Sequence, residues 1–153
     1  MRMAMMLTVV LLMGLGGMAD MAIEASKPYP DPDATVTFTV EGAPEGSEFR
    51  WTLGEHDTVV GAERWLRWEV PEGFHVVEVE ALQDEQVVAA ASYGVLADSR
   101  LGATRTVEKN SKRVEVRITV RVKATVTGGL NIEETVPQGW AVGERVTDGD
   151  LEP

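Results

Sequence analysis

Residues 35–53 read TVTFTVEGAPEGSEFRWTL, and the spacing inside that stretch decides the fold. Val36, Phe38 and Val40 alternate with Thr35, Thr37 and Thr39, and Phe49, Trp51 and Leu53 alternate with Arg50 and Thr52. A period of two belongs to a strand with one buried and one wet face. Between the two runs, Gly42, Ala43, Pro44, Glu45 and Gly46 form a turn cluster. Working outward, Leu66, Trp68 and Val70 repeat the pattern before a stop at Pro71, Glu72 and Gly73. His75, Val77, Val79 and Ala81 alternate with Val76, Glu78 and Glu80, and residues 87–95 follow a polar turn at 83–86 as a fifth strand. Five short strands separated by turns predict an all-β sandwich. Trp51, flanked by Phe49 and Leu53, is the expected centre of its core.

A second segment begins near Asp98. Val114, Val116, Ile118, Val120 and Val122 alternate without a break against Glu115, Arg117, Thr119, Arg121 and Lys123, which makes this the clearest strand in the chain. Of the fourteen basic residues, eight lie between Arg100 and Lys123, whereas from Leu130 onward there are six acids and only Arg145. Such a basic face suits an acidic ligand such as an anionic glycan. It equally suits a solvated strand whose charges discourage edge-to-edge aggregation or pair with the acidic tail.

Taken together, Val36-Thr37-Phe38-Thr39, Trp51-Thr52-Leu53-Gly54-Glu55, Pro71-Glu72-Gly73-Phe74-His75-Val76-Val77-Glu78-Val79 and the 87–95 strand resemble a PKD (polycystic kidney disease) type domain in order and spacing. That resemblance implies an immunoglobulin-like β-sandwich serving as a spacer or interaction module outside the cell. Gly54-Glu55-His56-Asp57 stands where that family has a Gly-Asp-Gly turn, which weakens the case for a turn-bound ion. Farther on, Glu133-Glu134-Thr135-Val136-Pro137-Gln138-Gly139-Trp140 resembles a segment of repeat-type β-sandwich domains in bacterial and archaeal surface proteins. Trp140, after the turn at Pro137, Gln138 and Gly139, is expected to cap a sandwich core. Residues 99–153 supply too few strands to close a sandwich alone. They are expected to pack against the first sandwich or to be the start of an incomplete second one.

All seven methionines of the 153-residue chain fall within the first 21 residues, and there is no cysteine. Arg2 precedes a largely apolar run through residue 15, then come Gly16, Gly17, Ala19 and the charge of Asp20. This reads as a helical secretory signal peptide cleaved after Ala19, or alternatively after Ala22, which leaves no membrane insertion. SKPYPDPD at 26–33 carries three prolines and reads as a stiff extended spacer. The expected organisation is therefore a signal peptide at 1–22, a Pro-rich linker at 23–33, a PKD-like sandwich at 34–97 and a second β-rich segment at 98–153, secreted or at the cell surface.

The absence of cysteine excludes disulfide scaffolds, thiolate metal sites and cysteine nucleophiles. A formal charge of -11 argues against nucleic acid as a partner. His56 and His75 are the only histidines, and no hydrolase elbow, phosphate loop or dinucleotide fingerprint occurs. The adjacent Glu133 and Glu134 point to opposite faces of a strand, wrong for a glycosidase pair. The chain reads as a non-enzyme. Asp31, Asp33, Asp57, Asp84, Glu85, Asp148 and Asp150 offer oxygen ligands for calcium, but no loop has a recognised calcium spacing, and solvated turn acids explain them better. The remaining candidate contact is Arg64, Trp65 and Arg67. With Leu66, Trp68 and Val70 inward, Trp65 lies on the opposite face beside Arg67, where it is either exposed and able to stack on a sugar or anchor a protein or, in the plainer reading, covered by the neighbouring segment. The expected partner is an extracellular protein or glycan. A partner or further domain to complete the second sheet also belongs to this reading.

Overall fold

A computed structural model of the chain describes residues 4–12, 21–54, 57–61, 63–109, 114–124, 135, 138 and 141–149, with backbone only at 4–12, 57–61, 108–109 and 144–149. Among these are β1 (Ala4–Leu12), β2 (Ala22–Ala25), β3 (Ala34–Glu41), β4 (Glu48–Leu53), β5 (Asp57–Gly61), β6 (Trp65–Val70), β7 (Gly73–Gln83), β8 (Gln86–Ala97), β9 (Leu101–Lys109), β10 (Val114–Val122) and β11 (Ala141–Gly149). They form an eight-stranded sheet in the order β11-β1-β10-β9-β8-β7-β4-β5 and a three-stranded sheet in the order β2-β3-β6. The pairing is antiparallel throughout.

The five strands expected between residues 35 and 95 all form, and their alternation sets which side of each sheet is dry. Val36, Phe38 and Val40 of β3 pack with Phe49 and Trp51 of β4, Val77, Val79 and Ala81 of β7, and Tyr93, Val95 and Ala97 of β8. Phe38 and Val36 are fully excluded from water and Trp51 is 2 % exposed. Burying a side chain of this size contributes roughly 2–3 kcal/mol. Phe38 meets Tyr93 edge-on, with ring centroids 5.9 Å apart, which locks the two sheets across their centre. The result is a β-sandwich with Trp51 in its core.

The second segment continues the larger sheet edge to edge. β8 and β9 pair directly, Tyr93 with Thr106 and Leu96 with Ala103. β9 then pairs with β10 from Leu101 opposite Val122 to Lys109 opposite Val114. Val114, Val116, Ile118 and Val120 form a second buried cluster with Ala103 and Val107 packed against it. His56, Asp150 and the Glu133 to Trp140 motif, apart from residues 135 and 138, lie outside the described residues.

Two N-terminal expectations meet a different geometry. The helix expected of the leader is not seen, because Ala4–Leu12 is extended and paired on both sides, with β10 and with β11. An apolar run with Thr8, Val9 and Val10 suits a strand as well as a helix when neighbours supply the hydrogen bonds. The Pro-rich segment is laid down on the sheet instead of standing free. Tyr29 covers Gly102, where an added Cβ would come within 2.7 Å of the Tyr29 Cβ. Arg121 lies 5.6 Å from the Tyr29 ring centroid. Lys123 Nζ donates to Pro30 O at 2.8 Å, Asp98 O at 2.7 Å and Asp31 Oδ1 at 3.1 Å. One ammonium thus ties three chain segments together, and its side chain is only 17 % exposed.

The β7–β8 hairpin turns through Asp84 and Glu85 with φ of 49° and 65°. Two residues of positive φ are what a tight hairpin requires, and glycine or asparagine takes that conformation with less strain than Glu. Replacing Asp84-Glu85 with Asn-Gly is expected to stabilise the fold by about 1 kcal/mol in urea denaturation with an unchanged m-value.

Candidate functional site

The outer face of the three-stranded sheet collects the candidate residues by register. Thr39 stands opposite Trp65 on one side and Glu24 on the other, Thr37 opposite Arg67, and Thr35 opposite Glu69. The other parity of the same strands, Ile23, Val36, Phe38, Val40 and Val70, is buried. A flat face therefore carries one indole, a file of three hydroxyls, one cation and two carboxylates. Trp65 is 48 % exposed, against 2 % for Trp51. Half an indole ring left in water beside hydroxyls and ionic groups can stack on a sugar or seat in a protein pocket. Ser26 fixes the margin of this face, its Oγ accepting from Thr37 N at 2.9 Å while its own N–H donates to Thr37 O at 2.9 Å.

Arg64 does not join Trp65 and Arg67. Its guanidinium lies 5.9 Å from the Phe49 ring centroid, and its carbonyl accepts from Val40 N at 2.8 Å. It caps the core at the rim of the sandwich. The next residue back, Glu63, accepts the Trp51 indole N–H at 3.5 Å. Sequence spacing placed the three residues together; the turn before β6 separates them.

The basic strand is largely occupied from within. Besides Lys123 and Arg121, Arg117 donates to Glu115 at 3.1 Å. These partners come from the Pro-rich segment, from Asp98 in the turn between β8 and β9 and from β10 itself. Tyr29 was the residue that sequence reading missed, and the unusual pairing of a lone aromatic in SKPYPDPD with Gly102 is the only signal that points to it. Of the acids considered for calcium, Asp31 is paired with Lys123, while Asp33 and Asp84 sit at positive φ in turns. Among the described residues no group of three or more His, Asp or Glu side chains is placed to hold a metal ion. His75 is half-buried, edge-on to Trp68 at 5.3 Å, with Nε2 3.1 Å from Pro71 O.

Two groups are electrostatically distinctive. Asp98 Oδ1 accepts the backbone N–H of Arg100 at 2.6 Å and of Leu101 at 2.9 Å, which holds its carboxyl below the usual value and shapes the turn into β9. Burial, with the neighbouring Tyr29 phenol adding to it, pushes the Tyr93 hydroxyl up to about 12. No family model matches the chain, and no curated protein or solved structure is significantly similar to it.

Tyr93 sets an alkaline limit. The unfolded phenol ionises near 10 and the folded one near 12, so the unfolded state sheds its proton first and stability falls as pH rises between these values. The loss amounts to roughly 3 kcal/mol over that window. Tyr93→Phe is expected to abolish most of this drop when urea midpoints are compared on the two sides of pH ~10.

Proposed function

We propose that the chain is a non-catalytic module exported from the cell, acting as a spacer, adhesion or assembly unit through the surfaces of its β-sandwich. The observation that carries this reading is the junction at residues 19–21. The apolar leader ends at Ala19 and Asp20, and the buried core begins at once with Met21, which is 7 % exposed, and Ile23, at 6 %. The same observation favours cleavage after Ala19, since cutting after Ala22 would take Met21 out of the core. The PKD-type resemblance over residues 36–95 supports the same class of role. A sheet continuous from β5 through β8 and β9 to β10 gives a stiff body, as a spacer needs.

The alternative, a carbohydrate-binding accessory protein, is favoured by the exposed Trp65 and neighbouring Arg67. The cations of the basic strand add little to it, because they are engaged by Tyr29, Asp31, Glu115 and backbone carbonyls.

Expression with the leader intact in a secreting bacterial host is expected to yield an exported chain whose intact mass begins at Asp20. An exported mass beginning at Met1, or a chain confined to the cytosol, would refute the export reading. Trp65 separates the two roles. If glycans are the ligand, adding them shifts tryptophan emission in the wild type and not in Trp65→Ala; equal responses remove that alternative.

A further inference from the structure

β1 sits between two strands that do not touch each other. Its register runs from Ala4 opposite Arg121 to Leu11 opposite Val114 on one side, and from Met5 opposite Gly149 to Leu12 opposite Ala141 on the other. Being antiparallel to both, it makes β10 and β11 parallel to one another and two strand intervals apart, about 9.5 Å. That gap is one strand wide. Its walls are the inward N–H and C=O groups of β10 and β11, which lose their partners if Ala4–Leu12 leaves. β11 is the outermost strand of the sheet and pairs only with β1, so the strand that fills this gap also holds β11 against the sheet. The side chains of β10 beside it, Val114, Val116, Ile118 and Val120, are 5 %, 2 %, 8 % and 4 % exposed.

We propose that this slot is a strand acceptor: once the leader has been removed, it takes an extended apolar segment of another protein in place of Ala4–Leu12. This rests on the export reading above, which removes the resident strand. The occupant's chemistry follows from the segment that fits now. AMMLTVVLL carries no charge, no proline and no glycine, and spans nine residues, of which Met5 to Leu11 pair on both edges. The partner therefore offers an uncharged, proline-free strand rich in aliphatic and β-branched residues, running antiparallel to β10. Main-chain hydrogen bonds supply the affinity and alternate side chains the selectivity, as in strand addition generally. The N-terminal stretch of a processed second copy fits poorly, since SKPYPDPD interrupts it with prolines.

The test keeps the full chain. A protease site is placed within residues 13–20, and Arg117→Cys supplies the only thiol in a chain that has none. The protein is folded and then cut. A labelled AMMLTVVLL peptide with lysine ends carries cysteine at the position of Thr8, which stands opposite Arg117, and oxidised glutathione is added to take up the two electrons of disulfide formation. The expected result is a disulfide adduct at position 117 at least about tenfold above that for a peptide with proline at the Val9 position, and above that for a Glu69→Cys acceptor on β6. Sheet circular dichroism lost on cutting and regained with the peptide also supports the proposal. Equal adducts for both peptides, no adduct with a folded cut protein, a lost sheet that the peptide does not restore, or dimers that exclude the peptide would each overturn it. The mass of the exported chain is a separate measurement. A retained leader would refute export and leave the exchange result standing, whereas a processed chain with no exchange would do the reverse.

Discussion

The interaction on which this fold depends is burial between two sheets that nothing covalent holds together. The chain has no cysteine, so the two layers are joined by the apolar faces of β3, β4, β7 and β8 and by what packs at their margins. That demand explains the strict alternation in these strands. A single slip of register would turn Val36, Phe38 and Val40 to water and bring Thr35, Thr37 and Thr39 inside without partners. The large aromatics bridge the layers, with Phe38 edge-on to Tyr93 and the Trp51 indole donating to Glu63 O in the turn before β6. Arg64 belongs to the same logic, spreading its guanidinium over Phe49 at the rim.

Elements whose partners are local or whose period is clean were legible in the sequence. β3, β4, β6, β7 and β10 follow a period of two and β8 follows a polar turn, and parity alone puts Trp51 on the inner face of its sheet and Trp65 on the outer face. β9 was not legible, because its buried positions are Gly102 and Thr104 instead of large aliphatics. Gly102 is dry only because Tyr29 comes from seventy-odd residues away to cover it, and Gly94 is dry because Phe74 lies over it in the same fashion. A glycine carries no hydrophobic signal, so an aromatic lid on a glycine cannot be read from either residue separately. β1 failed for the opposite reason. A run that is apolar at every position has no period, and the choice between helix and strand passes to whatever is available to pair with it.

The site shows the same division. Strand parity was enough to put Trp65 and Arg67 on one face, but Arg64 precedes the strand, and its direction is decided by the turn and by Phe49. The cluster of cations from Arg100 to Lys123 suggested a surface for anions. Tertiary structure spends much of it internally, because the Pro-rich segment brings Asp31, the carbonyl of Pro30 and the ring of Tyr29 to the end of β10. A proline-rich stretch lacks its share of backbone donors, and its free carbonyls are therefore open to a side-chain ammonium. Lys123 uses that opening and gains Asp98 O as a third acceptor.

The leader and the larger sheet pose one physical problem with two sides. An apolar extended segment is a hazard in water, and so is the pair of open strand edges that β10 and β11 would present without it. Each satisfies the other while both are present. The cleavage proposed above would separate them and leave unpaired main-chain groups beside the dry side chains of Val114, Val116, Ile118 and Val120. The charges of Glu115, Arg117 and Arg121 keep the other face of β10 wet, but they do nothing for the edge, since side chains on a face leave the hydrogen-bond row free. An edge of that kind needs a strand, and under the proposed export, which would remove Ala4–Leu12, another chain would have to provide one.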